Sequence, residues 1–212
     1  LLLRVMAERS VTAFNREYYF PHLQVFADRN RVEKEETFEL PAAARDRFLM
    51  ELNITMPAER ELQHALMFDT RFFNVDALID DLRSGVLPYA ELNDIGAAIQ
   101  RHITTTATVE HYALDLCAAT RAPADFGIAI SGVDMGKLVL SGVSPRGMGM
   151  LMRAAKVAAW LEGRAALVPE DIHAVLNETI AHRIFFTPVY ELRRADMVTA
   201  LMQQLVDKVA AP

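Results

Sequence analysis

Arg47 lies where a short predicted helix meets a predicted strand, and its side chain suits an anion. Pro41 fits the first turn of a helix, because that position has no backbone hydrogen bond to lose. Over residues 50–56 apolar and polar residues alternate, which predicts a strand with one wet face. Arginine stays charged and offers a planar fork of donors that matches phosphate. Local chemistry makes Arg47 a candidate anion-binding residue; an ion pair with Asp46 or Glu51 is the alternative.

Two more polar residues stand at the ends of predicted elements. Asn30 belongs to a polar cluster that follows a short apolar strand predicted over residues 23–27. In open α/β sheets, ligands bind at the carboxyl ends of strands, although a turn asparagine is the simpler interpretation. Arg146 follows Ser144, a good N-cap, and Pro145, which suits the first helical position. The sequence therefore predicts a helix that starts at Pro145, with Arg146 in its first turn.

The elements that would position these residues change character along the chain. Residues 10–56 are strand-like, with a predicted hairpin whose arms at residues 11–14 and 17–20 flank Asn15 and Arg16. The first nine residues resemble the last turns of a helix, so we expect a longer polypeptide that has lost an N-terminal part. From residue 57 the pattern is helical, with helices predicted at 57–68, 75–83, 87–103, 108–121, from 145 to Gly163, from 169, and at 190–209.

Composition narrows the class of protein. The 212 residues are 52% hydrophobic and 24% charged, which is typical of a globular chain. The net charge of -6 disfavours a nonspecific nucleic-acid binder. One cysteine, Cys117, cannot form an internal disulfide, which fits a reducing compartment. The histidines show no metal-ligand spacing, and no apolar run reaches the roughly 18 residues of a membrane span.

The motifs together resemble AAA+ ATPases, in particular the MoxR group, and the resemblance covers nearly the whole chain. Residues 2–47 resemble the second half of that group's nucleotide-binding domain, and the helical part resembles its lid. Magnesium-chelatase ATPase subunits share much of the pattern. The matching segments are residues 2–12, 27–31, 36–41 and 46–49, then Gly142-Val143-Ser144-Pro145-Arg146-Gly147, Gly163-Arg164, Val168-Pro169-Glu170-Asp171-Ile172 and His182-Arg183.

The resemblance implies a role for each of the three polar residues. Asn30 aligns with sensor 1, which orients the water that attacks the terminal phosphate of ATP. Arg47 aligns with the arginine finger, which reaches the neighbouring subunit's nucleotide and can be worth about 10³–10⁵ in rate. Arg146 aligns with sensor 2, where it adds a cation to helix N-terminal donors that already favour phosphate. Arg29 and Arg31 replace the usual Gln and Pro beside sensor 1, so that loop departs from the family pattern.

The sequence contains no G-x-x-x-x-G-K-[ST] phosphate loop. The nearest string, residues 132–138, is one residue short and has Leu138 where the magnesium-binding hydroxyl belongs, so we interpret it as a surface loop. The acidic pair that binds the metal is also absent, and by the resemblance both would precede Leu1. We therefore expect these 212 residues alone to show no ATPase activity.

We predict an α+β, mainly helical chain, with the end of an α/β AAA+ base domain over residues 1–56 and an all-α lid over residues 57–212. The resemblance implies that the complete protein uses ATP and Mg²⁺ in a cytoplasmic homo-oligomeric ring, of six subunits, to remodel or activate a protein client. The alternative is a non-catalytic helical interaction module. A DNA-binding helical domain is disfavoured by the net charge.

Overall fold

The computed structural model describes residues 2–28 and 40–212, and the chain divides into two compact units. One comprises Leu1–Glu51 with Asn93–Pro212, and the other comprises Leu52–Leu92. The described residues form mainly α-helices with two small two-stranded sheets, which confirms the predicted mainly helical α+β class. The functional boundary placed after residue 56 stays a prediction.

The N-terminal elements are a helix and a hairpin. Helix α1 (Leu2–Glu8) leads into strands β1 (Ser10–Ala13) and β2 (Arg16–Tyr19), which pair antiparallel with Ala13 opposite Arg16. Phe14 and Asn15 form the two-residue turn and both have positive φ, 51° and 58°. This is the turn geometry that matches the twist of a hairpin. The predicted hairpin is confirmed, with its turn one residue earlier than predicted.

The two other predicted strands are wrong. Residues 23–28 and 50–56 have no regular secondary structure, and no strand of the described residues lies beside either segment to receive its backbone hydrogen bonds. The Glu51 N–H instead donates to the carbonyl oxygen of Glu178, at 2.9 Å. Ile54 is 91% exposed, so the apolar positions of the alternating pattern have no core to cover. A period of two predicts a strand only where a partner strand is present.

The unit Leu52–Leu92 contains two short helices, α3 (Arg60–Phe68) and α4 (Val75–Asp80), joined by a 3₁₀ turn at Thr70–Phe73. Both helices were predicted, and both are shorter than predicted. None of the residues in this unit is buried. Its exposed large apolar residues are Leu52, Ile54, Met56, Leu62, Leu66, Met67, Phe68, Phe72, Phe73, Val75, Ile79, Leu82, Val86, Leu87 and Tyr89.

The core lies among the helices that follow. These are α5 (Leu92–His102), α6 (Ala107–Ala119), α7 (Pro145–Leu161), α8 (Pro169–Ile180), α9 (Pro188–Glu191) and α10 (Arg194–Lys208). Strands β3 (Val139–Ser141) and β4 (Phe185–Phe186) pair antiparallel beside them. The fully buried large aliphatic side chains are Leu116, Leu138, Leu151, Ile172, Ile180, Ile184, Leu201 and Leu205. The helix predicted over residues 190–209 is confirmed in part, because it is divided into α9 and α10.

The starts of α7 and α8 are fixed by side-chain caps. Ser144 Oγ accepts a hydrogen bond from the Gly147 N–H at 3.0 Å, which confirms the predicted helix start at Ser144-Pro145. Asp171 Oδ2 accepts from the Val168 N–H at 3.0 Å, and the same carboxylate pairs with Arg164. Because both helix starts are capped, the residues beside them have well-defined positions.

Candidate functional site

The turn that bears Arg47 follows directly on helix α2 (Ala42–Arg45). The Arg47 N–H donates to the Ala44 carbonyl oxygen at 3.1 Å, and the Phe48 N–H donates to the Arg45 carbonyl oxygen at 3.2 Å. The side chain of Arg47 is half-buried. The predicted helix before Arg47 is therefore present, whereas irregular chain follows where a strand was predicted.

Arg183 holds this turn against the helical region. It lies in a 3₁₀ turn at Ala181–Arg183 directly after α8 and is 1% exposed. Its guanidinium donates to the carbonyl oxygens of Phe48 and Thr179, to that of Leu49 at 3.2 Å and to that of Asp46 at 3.3 Å. Burial lowers the pKa of Arg183, and the Asp46 carboxylate opposes that shift. Arginine suits this place because its rigid fork can serve several carbonyls at once.

The carboxylate of Asp46 collects donors from three residues, and we call Asp46, Ser144, Arg146 and Arg183 the Asp46 cluster. Ser144 Oγ donates to Oδ1 at 2.7 Å, and the Arg183 Nε lies 3.2 Å from the same oxygen. Arg146 Nη1 donates to Oδ2 at 3.1 Å. Since Ser144 also caps α7, one side chain joins the start of that helix to the turn that bears Arg47.

The structure describes two of the three predicted site residues, Arg47 and Arg146. Arg146 lies in the first turn of α7 with its side chain 47% exposed, bound to the residue that precedes Arg47. Arg47 and Arg146 therefore belong to one neighbourhood, which the sequence alone did not predict. Asn30 lies outside the described residues, as do Arg29 and Arg31. The catalytic role of Asn30 and Arg47 and the nucleotide-binding role of Arg146 stay predictions.

His182 is a second buried contact to the turn. The residue is 3% exposed, and its Nε2 lies 3.3 Å from the Phe48 carbonyl oxygen, so that nitrogen carries the hydrogen. Burial lowers the pKa of His182 to about 4, and the positive charge of Arg183 adds to this effect. His182 is thus held neutral beside a buried cation.

Arg45 anchors the short helix that precedes the turn. It is 6% exposed, and its guanidinium lies 5.3 Å from the centroid of the Phe185 ring. Arg194 lies 5.9 Å from the same ring and donates to the Ala181 carbonyl oxygen at 3.0 Å. Both cations lie within about 6 Å of one aromatic ring, and each is attracted by the negative charge of the ring's π system. Helix α2 therefore packs on the C-terminal part of the chain.

Sequence reasoning names Asp46 only as an alternative ion-pair partner of Arg47, and it includes Arg183 only as part of the family pattern His182-Arg183. One further signal points to Arg183. Charged residues seldom lie in buried positions unless they are paired, and Arg183 interrupts the run Ile180, Ala181, Ile184 and Phe185, which is otherwise apolar apart from His182. A cation in such a run predicts a buried partner, but the sequence does not say which acid supplies it.

The string that partly resembles a phosphate loop is a surface turn. Met135–Lys137 form one 3₁₀ turn. Asp134 caps it, since its Oδ1 accepts a hydrogen bond from the Gly136 N–H at 3.1 Å. Lys137 Nζ lies 3.3 Å from Asp134 Oδ2, and both side chains are exposed. This confirms the interpretation of residues 132–138 as a loop. Within residues 2–28 and 40–212 no group of three His, Cys, Asp or Glu side chains is placed to hold a metal ion.

None of the helices in residues 2–28 and 40–212 combines the length and the apolar character that crossing a bilayer requires.

Comparison with known proteins agrees with the geometry. A family model for the AAA lid domain matches residues 137–204. Protein MoxR of Methylorubrum extorquens is 54% identical over the whole chain, and Protein MoxR of Paracoccus denitrificans is 52% identical; the chain covers 62% of each. The crystal structure of a candidate ATPase from Cytophaga hutchinsonii superposes on the whole chain and on 61% of its own length, with a TM-score of 0.80 and 27% identity. The chain thus spans about three fifths of the relatives it matches.

Proposed function

Because this chain belongs to the MoxR group of AAA+ ATPases, we propose that the full-length protein binds and hydrolyses ATP, with Mg²⁺, at the subunit interfaces of a ring. We propose six subunits and a cytoplasmic location. The observation that carries the proposal is the Asp46 cluster, which joins the turn of Arg47 to the helix start that bears Arg146. Arg47 and Arg146 thereby lie in one neighbourhood, and the guanidinium of each matches the geometry of a phosphate group.

The two arginines have different tasks in this proposal. Arg146, in the first turn of α7, binds a phosphate oxygen at a helix terminus whose dipole favours negative charge. Arg47 meets the terminal phosphate of the neighbouring subunit's nucleotide and stabilises the charge that builds up on it during transfer to water. Asn30 orients that water. Mg²⁺ would neutralise charge on the phosphates, held by residues other than these 212.

We further propose that the ATPase cycle remodels or activates a protein client. A relative from Mycobacterium tuberculosis, 29% identical over 88% of this chain, is named chaperone MoxR1; this chain covers 46% of it. The many exposed large apolar residues of the unit Leu52–Leu92 are a further support, since exposed apolar surface beyond scattered single residues commonly marks protein contacts.

The test is Arg47→Ala in the full-length protein. Turnover should fall about 10³-fold or more, while the affinity for ATP stays within a few-fold of the wild type, because the finger acts on a neighbour's nucleotide. Arg193→Ala is the matched control, since the Arg193 side chain is 64% exposed and meets only Asp196, at 3.8 Å, within the described residues. Near-normal turnover in Arg47→Ala would refute the finger assignment.

The second candidate function is a non-catalytic interaction module. The same apolar unit, Leu52–Leu92, favours it, because such a surface needs no nucleotide to bind a protein. A wild-type full-length protein that binds its client but neither binds nor hydrolyses ATP would establish this alternative. For residues 1–212 alone, we propose that no turnover occurs, and a steady-state phosphate-release assay tests that directly.

A further inference from the structure

The two oxygens of the Asp46 carboxylate differ in their partners: one oxygen contacts residues that cannot move away easily, and the other contacts an arginine that can. Its Oδ1 faces Ser144 Oγ and the Nε of Arg183, whose side chain is fully buried. Its Oδ2 faces Arg146, whose side chain is about half exposed. Asp46 itself is only 17% exposed. A buried partner cannot leave without unfolding its surroundings, whereas a half-exposed arginine can change partner at little cost.

Arg146 meets Asp46 through one nitrogen, Nη1, so a phosphate that takes this donor would have to displace the carboxylate. A guanidinium binds carboxylate and phosphate alike, through one edge of its planar fork. Ser144, the N-cap of α7, and Nη1 of Arg146 meet the same carboxylate, so this donor of Arg146 is held near the start of the helix. A phosphate at that helix start would therefore compete with Asp46 for Arg146.

The exchange would be felt at Arg47 because Asp46 is its neighbour in the chain. The same residue contributes a carbonyl oxygen to Arg183, 3.3 Å away, and Arg183 also holds the carbonyls of Phe48 and Leu49. When Arg146 leaves, Ser144 and Arg183 are the remaining contacts of the Asp46 carboxylate among the residues that the structure describes. The balance of forces on the turn 46–49 then changes, although its anchor remains.

We propose that Asp46 is a positioning residue that couples the two arginines: it holds Arg146 in the absence of phosphate, yields it to a bound nucleotide, and thereby adjusts the turn that bears Arg47. This inference rests on the proposed function. It differs from it in naming a carboxylate, not an arginine, as the residue that links nucleotide binding to the placement of the finger.

The test is Asp46→Asn in the full-length protein, with ATP affinity and turnover at saturating ATP measured separately. Asparagine keeps an oxygen for Ser144 and removes the charge that competes for Arg146. ATP should bind about fivefold more tightly, the factor expected for one partly exposed ion pair. Turnover should fall about fivefold or more, because the turn is no longer adjusted. The control is Asp115→Asn on the exposed face of α6, which removes one charge elsewhere.

Two further variants separate this role from a merely structural one. In an Arg146→Ala background, Asp46→Asn should leave ATP affinity unchanged, because Asp46 and the phosphate no longer have Arg146 to compete for. Asp46→Glu keeps the charge, so ATP affinity should stay within about twofold of the wild type while turnover falls. A purely structural Asp46 would lower thermal stability in all variants and weaken affinity and turnover together.

The outcomes distinguish the inference from the function it rests on. A wild type that binds no ATP overturns both. If the wild type hydrolyses ATP, either of two results overturns the inference alone. In the first, Asp46→Asn binds ATP no more tightly than the wild type does. In the second, Asp46→Glu binds ATP as tightly as Asp46→Asn does. Tighter binding with slower turnover, lost in the Arg146→Ala background, establishes it.

Discussion

Gly147→Ala should destabilise the protein, although alanine is the better helix former. Gly147 lies in the first two turns of α7, is buried, and has ordinary helical backbone geometry. A Cβ at this position would lie 2.5 Å from Arg183 Cδ, 2.6 Å from Val143 Cγ2 and 3.0 Å from Arg183 Nε. Arg183 cannot give way easily, because its guanidinium is bound to the carbonyls of the turn that carries Arg47.

The magnitude follows from two opposing effects. Replacing a helical glycine by alanine stabilises a helix by about 1 kcal/mol. Forcing an extra methyl group into a packed site costs about 1–3 kcal/mol, and the upper end applies here because the clash displaces a buried arginine. We expect the free energy of unfolding to fall by about 2 kcal/mol. For a chain of this size that lowers Tm by about 4–8 °C.

Gly149→Ala supplies a matched control two residues along the same helix. A Cβ there meets nothing within 4 Å, and the residue is exposed. The control should therefore gain up to about 1 kcal/mol from helix propensity alone. Urea unfolding of the wild type and both variants, followed by circular dichroism, measures the difference, about 3 kcal/mol. Equal stability of the two variants would refute the claim that Gly147 makes room for Arg183.

Three other properties follow from buried groups. Burial lowers the pKa of His182 from 6.5 to about 4, so between these values the unfolded chain binds a proton that the folded chain does not. The stability that is present above pH 6.5 is therefore lost as the pH falls, and urea unfolding should show a loss of about 2 kcal/mol between pH 7 and pH 5. His182→Gln has no such proton to bind and should lose correspondingly less stability over the same range. Asp171→Ala removes the cap from the Val168 N–H and should cost about 1–2 kcal/mol by the same assay, whereas Asp207→Ala, at an exposed position of α10, should be near neutral. Burial raises the pKa of Cys117 to about 11, so iodoacetamide at pH 8 should label it only after unfolding in urea; rapid labelling of the folded chain would contradict its burial.

Local signals predicted the helices well because their causes are local. Ser144, Pro145 and Gly163 mark the start and end of α7, and its apolar stripe, including Leu151 and Ala155, is buried as helical spacing requires. The N-terminal hairpin was predicted from a short polar break between two arms, and the turn lies one residue from that position. Each of these elements contains the information for its own formation.

The misplaced strands and the Asp46 cluster depend on distant residues. A strand at 50–56 would need a neighbouring strand, and among the described residues the backbone of Glu51 meets Glu178 instead. Asp46 and Arg183 are 137 positions apart, so no window of sequence shows that they meet. The family resemblance marked Arg47 and Arg146 separately, and only the structure shows that one carboxylate lies beside both.

The same separation has a consequence for the order of assembly. The turn 46–49 is held by Arg183 and His182, and neither contact can form before α8 and the 3₁₀ turn after it are in place. Loops closed over more than 130 residues form late, because the chain loses entropy before any contact compensates. The segment that bears Arg47 should therefore fold last and open first. Its amides should exchange hydrogen for deuterium well before those of α7 and α8.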